Sequence, residues 1–246
     1  MPPTLCLITD RLSDPVLDNA LSGALLHRVA LGEAGPTLRL YTPGRIVAFG
    51  SQDRVRPGYA AAMEAAETLG FSAIERLVGG RAAACHEGTI ALTWSTPDPD
   101  PKSNSEERFN ALSSIVIDAL ARLDITGAVG ELPGEYCPGR FSVHVKGHKV
   151  MGIGQRVVRN AAHVGGVLSL HSPELINRAL VPTYEALGYD WSPSVTGAIG
   201  RSTDEAIPAL TAAFGAAGYS VCTSSIEPEM LASAGDFADD PRRPIL

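Results

Sequence analysis

Cys137 stands in the segment Pro133-Gly134-Glu135-Tyr136-Cys137-Pro138-Gly139, and two of the chain's three lysines, Lys146 and Lys149, follow shortly after it. A thiol whose pKa is lowered by a nearby cation is a nucleophile that can take an acyl group from a thioester and yield it to an amine. Lys149 is the candidate cation; without one, Cys137 would be an inert loop thiol. A second stretch runs from Arg76 to Gly88, Arg-Leu-Val-Gly-Gly-Arg-Ala-Ala-Ala-Cys-His-Glu-Gly. Its adjacent Gly79 and Gly80 let a backbone approach a ligand closely, and Arg76 and Arg81 could hold a carboxylate or phosphate. The bland reading of the same residues is a tight turn flanked by surface ion pairs. His86 reads either as a pocket residue and proton carrier or as a satisfied structural side chain. No Gly-Lys-Ser/Thr follows the glycine pair, and the pattern is not GxGxxG, so no nucleotide loop of either kind is indicated.

The elements that must position these groups follow from local pattern. Proline and glycine place Cys137 on a loop. Phe141, Val143 and Val145 alternate with polar residues as in a half-buried strand, and Gly147 supplies the positive φ of a tight hairpin. In the return strand Lys149, Met151, Ile153 and Gln155 fall on one face and Val150, Gly152 and Gly154 on the other. Glycines inside a strand weaken it, so they mark a place where something passes close to the backbone.

Earlier in the chain, Thr4–Ile8 reads as a strand and Asp14-Pro15 as the capped start of a helix. Strands are expected at 37–41 and 45–49, joined as a hairpin by Pro43-Gly44, then a helix at 59–69 and strands at 72–77 and 90–94. Ser103 with Glu106 suggests a capping box for the helix bearing Phe109, Leu112, Val116 and Leu120. A strand at 161–170, a short helix at 173–180 and an amphipathic helix at 204–214 complete the pattern. Strands come in hairpins and no regular βαβ alternation appears, so the class is α+β, a mixed, largely antiparallel sheet flanked by helices. One domain over residues 1–226 is expected, with 227–246 a loosely held tail.

The formal charge of -7 argues against nucleic acid or an anionic membrane as the main partner, since both select a basic surface. Neither a signal peptide nor a membrane span is visible, which points to a cytoplasmic location. Cys6, Cys85, Cys137 and Cys222 are scattered with no CxxC pair, so four free thiols and no zinc site are expected. His144 and His148 are separated by a strand end and a turn, which does not suit a metal site.

Three pieces in order, LRLYTPGRIVAFGSQ, RLVGGRAAACHEG and VKGHKVMGIGQRVVRNAAHVGG, resemble the lipoate-protein ligase A and octanoyltransferase family, which also contains the biotin ligases. The resemblance covers roughly residues 14–170. It implies a class II synthetase-like sheet with an acyl chain held in a tunnel, its carboxyl end near Lys149, and substrate contacts from Arg76, Gly79, Gly80, Arg81, His86, Gly152 and Gln155. It implies attachment of octanoyl or lipoyl groups to a lysine of lipoyl-carrier domains of 2-oxoacid dehydrogenases or glycine cleavage proteins. Arg81, where the ligases have a third glycine, looks more like the octanoyltransferase branch. In that branch Cys137 is the nucleophile, acyl carrier protein a donor, and no cofactor is required. The alternative is a lipoate-protein ligase that uses ATP and Mg, with Lys149 on the acyl-adenylate and Arg76, Gly79 and Gly80 framing it. An extra alanine before His86 leaves that alignment uncertain by one place. A biotin ligase fits less well, because its Gly-Arg-Gly-Arg-x-Gly-Arg loop is absent. A non-catalytic module that binds carrier domains would predict an unreactive Cys137.

Overall fold

The computed structural model describes residues 1–239. β1 (Thr4–Ile8) leads into α1 (Pro15–Ala30), which begins where the Asp14 carboxylate accepts the amides of Val16 at 2.8 Å and Leu17 at 3.3 Å. β2 (Thr37–Tyr41), β3 (Ile46–Phe49), α2 (Tyr59–Thr68) and β4 (Ser72–Glu75) follow. Next come β5 (Ala83–Cys85), β6 (Thr89–Pro97), α3 (Ser105–Arg122), β7 (Ala128–Val129) and β8 (Val143–Val145). The chain continues through β9 (His148–Val158), β10 (Ala161–Ser169), α4 (Pro173–Leu187), α5 (Thr203–Ala216), β11 (Ser220–Ser224) and α6 (Pro228–Asp239).

Eight strands form one mixed sheet in the order β11-β1-β2-β6-β10-β9-β8-β7, and a second sheet has the order β4-β3-β5. Alternation along the strands decides which face goes where. Leu38 and Leu40 on β2, Leu92 and Trp94 on β6, and Val164 and Leu168 on β10 join one core with α3 and α5. The opposite face of the large sheet meets the small sheet. There Ile46, Ala48 and Cys85 point inward beside Val167, while Val47 and Phe49 point out to α2 and α4. The pocket described below lies between the two sheets.

Pro43-Gly44 does not close a hairpin. β2 pairs with β1 and β6, whereas β3 crosses to the second sheet and pairs with β4 and β5. Both strands are buried along their whole length, so each needs two partners, and these come from distant segments rather than across the turn. The expected capping box at Ser103 is also absent. α3 starts at Ser105, because the Asn104 amide donates to Asp98 at 2.9 Å and Asp98 in turn pairs with the buried Arg108. This tertiary anchor takes the capping position out of local use. β5 and β11 carry no sequence signal of their own, and α4 extends well past the short helix expected.

The tail is not loosely held over its described part. Met230, Ala234 and Phe237 recur at helical spacing and are buried against α1. Phe237 fills the space that a side chain at Gly23 would need, with its Cδ1 2.9 Å from that position. Residues 240–246 of the expected tail lie outside the described residues.

The β8–β9 hairpin turns as expected through Lys146 and Gly147, at φ +51° and +78°. A β-bulge then shifts the register, since Val143 faces Met151 but His144 faces Lys149. Consequently the consecutive Val150 and Met151 both enter the core. Lys149 therefore does not share a face with Met151; its ammonium end lies beside Gly152, 3.4 Å from where a Cβ there would sit. Re-aiming one side chain is what a bulge does.

Candidate active site

The loop from Pro133 to Gly139 is built around a carboxylate. Glu135, 3% exposed, accepts the amides of Leu132 at 3.2 Å and Gly139 at 3.0 Å, the Ser142 hydroxyl at 2.6 Å and the Lys149 ammonium at 3.2 Å. Lys149 is fully buried and also donates to the carbonyls of Tyr136 at 2.8 Å and Cys137 at 2.9 Å. An ammonium has three protons, and all three are engaged. Burial pushes the pKa of Lys149 down, against the opposing pull of Cys137 and Glu135.

This cradle presents Cys137, a half-buried residue at φ +42°. Few residues other than glycine adopt that left-handed conformation without a local reason. Here the reason is a set of bonds to helix α4 and to the loop of residues 76–82. The Cys137 amide donates to the Tyr184 hydroxyl at 2.8 Å, and its sulfur accepts the Arg81 amide at 3.2 Å and the Arg76 guanidinium at 3.3 Å. Burial raises the thiol's pKa, but Arg76, then Lys149, and these two hydrogen bonds outweigh it, so the net shift is downward. The cation against the sulfur is thus Arg76. Lys149, expected in that role, acts from behind the loop.

Arg76 also donates to the Arg81 carbonyl at 2.6 Å, and its buried Nε–H has no partner among the described residues. Gly80, at φ +102°, lets the sulfur in: a Cβ there would lie 2.9 Å from Cys137 Sγ. Nothing crowds Gly79, which lines the pocket through its backbone. The Arg81 guanidinium sits over the Tyr189 ring, 4.4 Å from its centroid, so only its amide meets the thiol.

Behind the thiol opens a cavity of about 360 Å³, within the range typical of small-molecule sites. Its floor consists of cross-strand rows of the large sheet: Tyr41–Ala91–Val167–Gly152, then Thr93–Gly165–Gly154. Ile46, Ala48, Leu77 and Val78 face it from the opposite wall. The next row, Thr37–Ser95–His163–Arg156, ends it with His163, whose ring meets the Ser95 hydroxyl at 3.1 Å. Burial lowers His163 to about 4, so its imidazole is neutral near pH 7. Cys85 also lines the cavity; burial raises its thiol to about 12, which leaves it unreactive.

The expected site residues therefore divide. Cys137, Lys149, Arg76, Gly79, Gly80 and Gly152 meet at one pocket, with the Arg81 backbone. Gln155 lines the pocket but its amide is committed to α3, accepting from Arg108 at 3.1 Å and donating to the Ser105 carbonyl at 3.3 Å. His86 is not among the lining residues. Its Nδ1 accepts the Gly88 amide at 2.9 Å in the β5–β6 turn, burial lowers its pKa, and its Nε2 is buried with no partner among the described residues. Glu135 and Tyr184 join the site without a role expected from the sequence. A carboxylate amid prolines and glycines was a signal for the first, whereas nothing local marks Tyr184 in the middle of a helix. No group of three potential metal ligands occurs among the described residues, and no helix there is long and apolar enough to cross a membrane.

Known proteins resemble this chain in sequence and fold. Residues 14–186 match the family model described as lipoyl protein ligase A/B catalytic domain. An octanoyl-[GcvH]:protein N-octanoyltransferase of Anoxybacillus flavithermus is 28% identical over 145 residues, covering 59% of this chain and 52% of the relative. A lipoyl-[GcvH]:protein N-lipoyltransferase of Listeria monocytogenes is 22% identical over 168 residues, covering 68% and 60%. The chain spans about half to three-fifths of the length of such curated relatives. Among solved structures, a lipoate-protein ligase A bound with ATP superimposes with TM-score 0.77 at 17% identity, covering 98% of this chain and 95% of the other. A putative lipoate protein ligase of Thermoplasma acidophilum with bound lipoic acid gives 0.74 at 18%, covering 97% and 95%. These neighbours confirm the α+β fold expected from the sequence, and the family model, matching well over half of the chain, shows that it belongs to the lipoyl protein ligase A/B catalytic domain family.

Proposed function

We propose that the chain is a cysteine-dependent protein acyltransferase that moves an octanoyl or lipoyl group onto a lysine of a lipoyl-carrier domain. The observation that carries this reading is the Cys137 thiol at the mouth of an apolar pocket, within 3.3 Å of two donors that hold its pKa down. The relatives' names supply the carrier class, since octanoyl- or lipoyl-GcvH is the donor they print.

In this reading the acyl chain lies on the small-residue floor with its carbonyl carbon at Cys137. The thiolate adds to that carbon, and the negative charge that develops on the carbonyl oxygen lies beside the Arg76 guanidinium that flanks the sulfur. The bond to the donor breaks, and the departing thiol or amine takes a proton. An incoming lysine amine then attacks the Cys137 thioester, forms the amide, releases a proton and restores the thiolate. Lys149, whose burial makes its ammonium a stronger acid than usual, is the nearby proton donor, reached through the Cys137 carbonyl it holds. No ATP is consumed, because the energy of the acyl bond is retained.

Intact-mass spectrometry tests this. The protein is incubated with octanoyl-acyl carrier protein, or octanoyl-GcvH, without ATP, beside Cys137→Ala. An added octanoyl mass that hydroxylamine removes, and that the variant lacks, is the expected result. Absence of the adduct, with acyl-adenylate formed from lipoate and Mg-ATP in both proteins, would overturn it in favour of the ATP-dependent ligase.

A further inference from the structure

Two loops that are distant in sequence meet at the sulfur: residues 76–82, which supply its donors, and 133–139, which carries it. One atom joins them directly from outside. The Tyr184 hydroxyl, on α4, accepts the Cys137 amide at 2.8 Å and donates to the Ala82 carbonyl at 2.9 Å. It thereby ties the backbone of the nucleophile to the residue that follows Arg81.

The tie has work to do. Cys137 is held at φ +42°, a conformation that strains a non-glycine residue and persists only where the surroundings impose it. Its sulfur stays on the Arg81 amide and the Arg76 guanidinium only while the two backbones keep their spacing. Tyr184 itself is fixed. It is fully buried, packed at 5.2 Å from the Trp191 ring and 5.4 Å from the Tyr189 ring. Burial raises its pKa well above the ordinary phenol value, so the hydroxyl keeps the proton that Ala82 requires.

We propose that Tyr184 is a positioning residue for acyl transfer, a two-way clamp that holds the Cys137 thiol on its activating donors. This deepens the transferase reading and rests on it for its biological meaning. It is tested by alkylation, which needs no acyl donor, so the two can fail separately.

Tyr184→Phe keeps the ring and removes only the hydroxyl. The rate of iodoacetamide modification at Cys137, followed by peptide mass spectrometry from pH 5 to 10, gives the thiol's titration in each protein. Tyr189→Phe serves as a control, because that hydroxyl donates to the Gln52 carbonyl and touches neither loop end. Expected is an upward movement of the Cys137 midpoint by about one pH unit in Tyr184→Phe, which is about tenfold slower alkylation at pH values below both midpoints, with the control unchanged. A Tyr184→Phe protein that melts lower but titrates like the parent would overturn the proposal, since the hydroxyl would then be merely structural. Should the variant not fold, amide hydrogen exchange in the parent decides. Protection of the Cys137 amide comparable to the β9–β10 ladder supports the clamp, and exchange at a free-loop rate sinks it.

Discussion

At the thiol end of the pocket almost every polar group is engaged: Glu135 receives four donors, Lys149 gives away three protons, and the Cys137 sulfur and amide are both held. The floor beneath is made of residues defined by what they lack, Gly152, Gly154, Gly165, Ala91 and Thr93, laid in register across three strands. Reactivity is thus set by a saturated hydrogen-bond network, and capacity by missing side chains on a rigid sheet. The two ends should respond differently to mutation, one through stability and thiol titration, the other through substrate size.

The largest effect is expected at the network. Lys149→Met leaves Glu135 buried without its cation, and breaking one side of a buried pair costs about 3–5 kcal/mol. Urea denaturation should register that loss. Adding Glu135→Leu should not restore it, because the amides of Leu132 and Gly139 and the Ser142 hydroxyl would then be orphaned. Full recovery in the double variant would show that the loop needs no central carboxylate.

A pH-dependent effect comes next, from the far end of the floor. His163 is neutral when folded, with its pKa lowered from 6.5 to about 4. Unfolded chains bind the proton over that window, so stability should rise as pH goes from about 4 to 6.5 and fall as pH is lowered. The contribution amounts to about 3 kcal/mol at its acid end. On acidification from pH 7 to about 4.5 the melting temperature of the parent should fall further than that of His163→Phe. Parallel curves would mean that the imidazole is solvated.

Gly80→Ala sharpens the contrast at the thiol end. The positive φ there and the nearby sulfur make the substitution strained by roughly 1–3 kcal/mol, and the Cys137 alkylation midpoint should rise with it. The smallest effect is reserved for the floor. A Cβ at Gly154 would lie 3.0 Å from the Val78 side chain. Gly154→Val should therefore raise KM for the acyl donor several-fold, leaving the alkylation profile of Cys137 in place. A profile that moves with it would show the two ends to be coupled.

Much of this was legible locally. Asp14-Pro15 started its helix, Gly147 turned its hairpin, and proline with glycine put Cys137 on a loop, because capping, positive φ and ring closure act within a few residues. The glycines of β9 announced a close approach, and the pocket lies over them. Where the pattern misled, a partner outside the expected turn or cap had taken over. Asn104 turned to Asp98 instead of capping α3, and β3 joined strands from two later segments instead of returning on β2.

The sequence alone determined the fold class, the family and the two stretches that carry the chemistry, because periodicity, turn residues and motif order are written residue by residue. Only the tertiary structure decided what each group does. It set Arg76 rather than Lys149 against the sulfur, sent His86 into a turn, buried the helix of the tail on α1, and brought Tyr184 from α4 to the nucleophile. Those outcomes depend on strand register, a single-residue bulge and the packing of segments far apart in the chain, and such distances have no local signature.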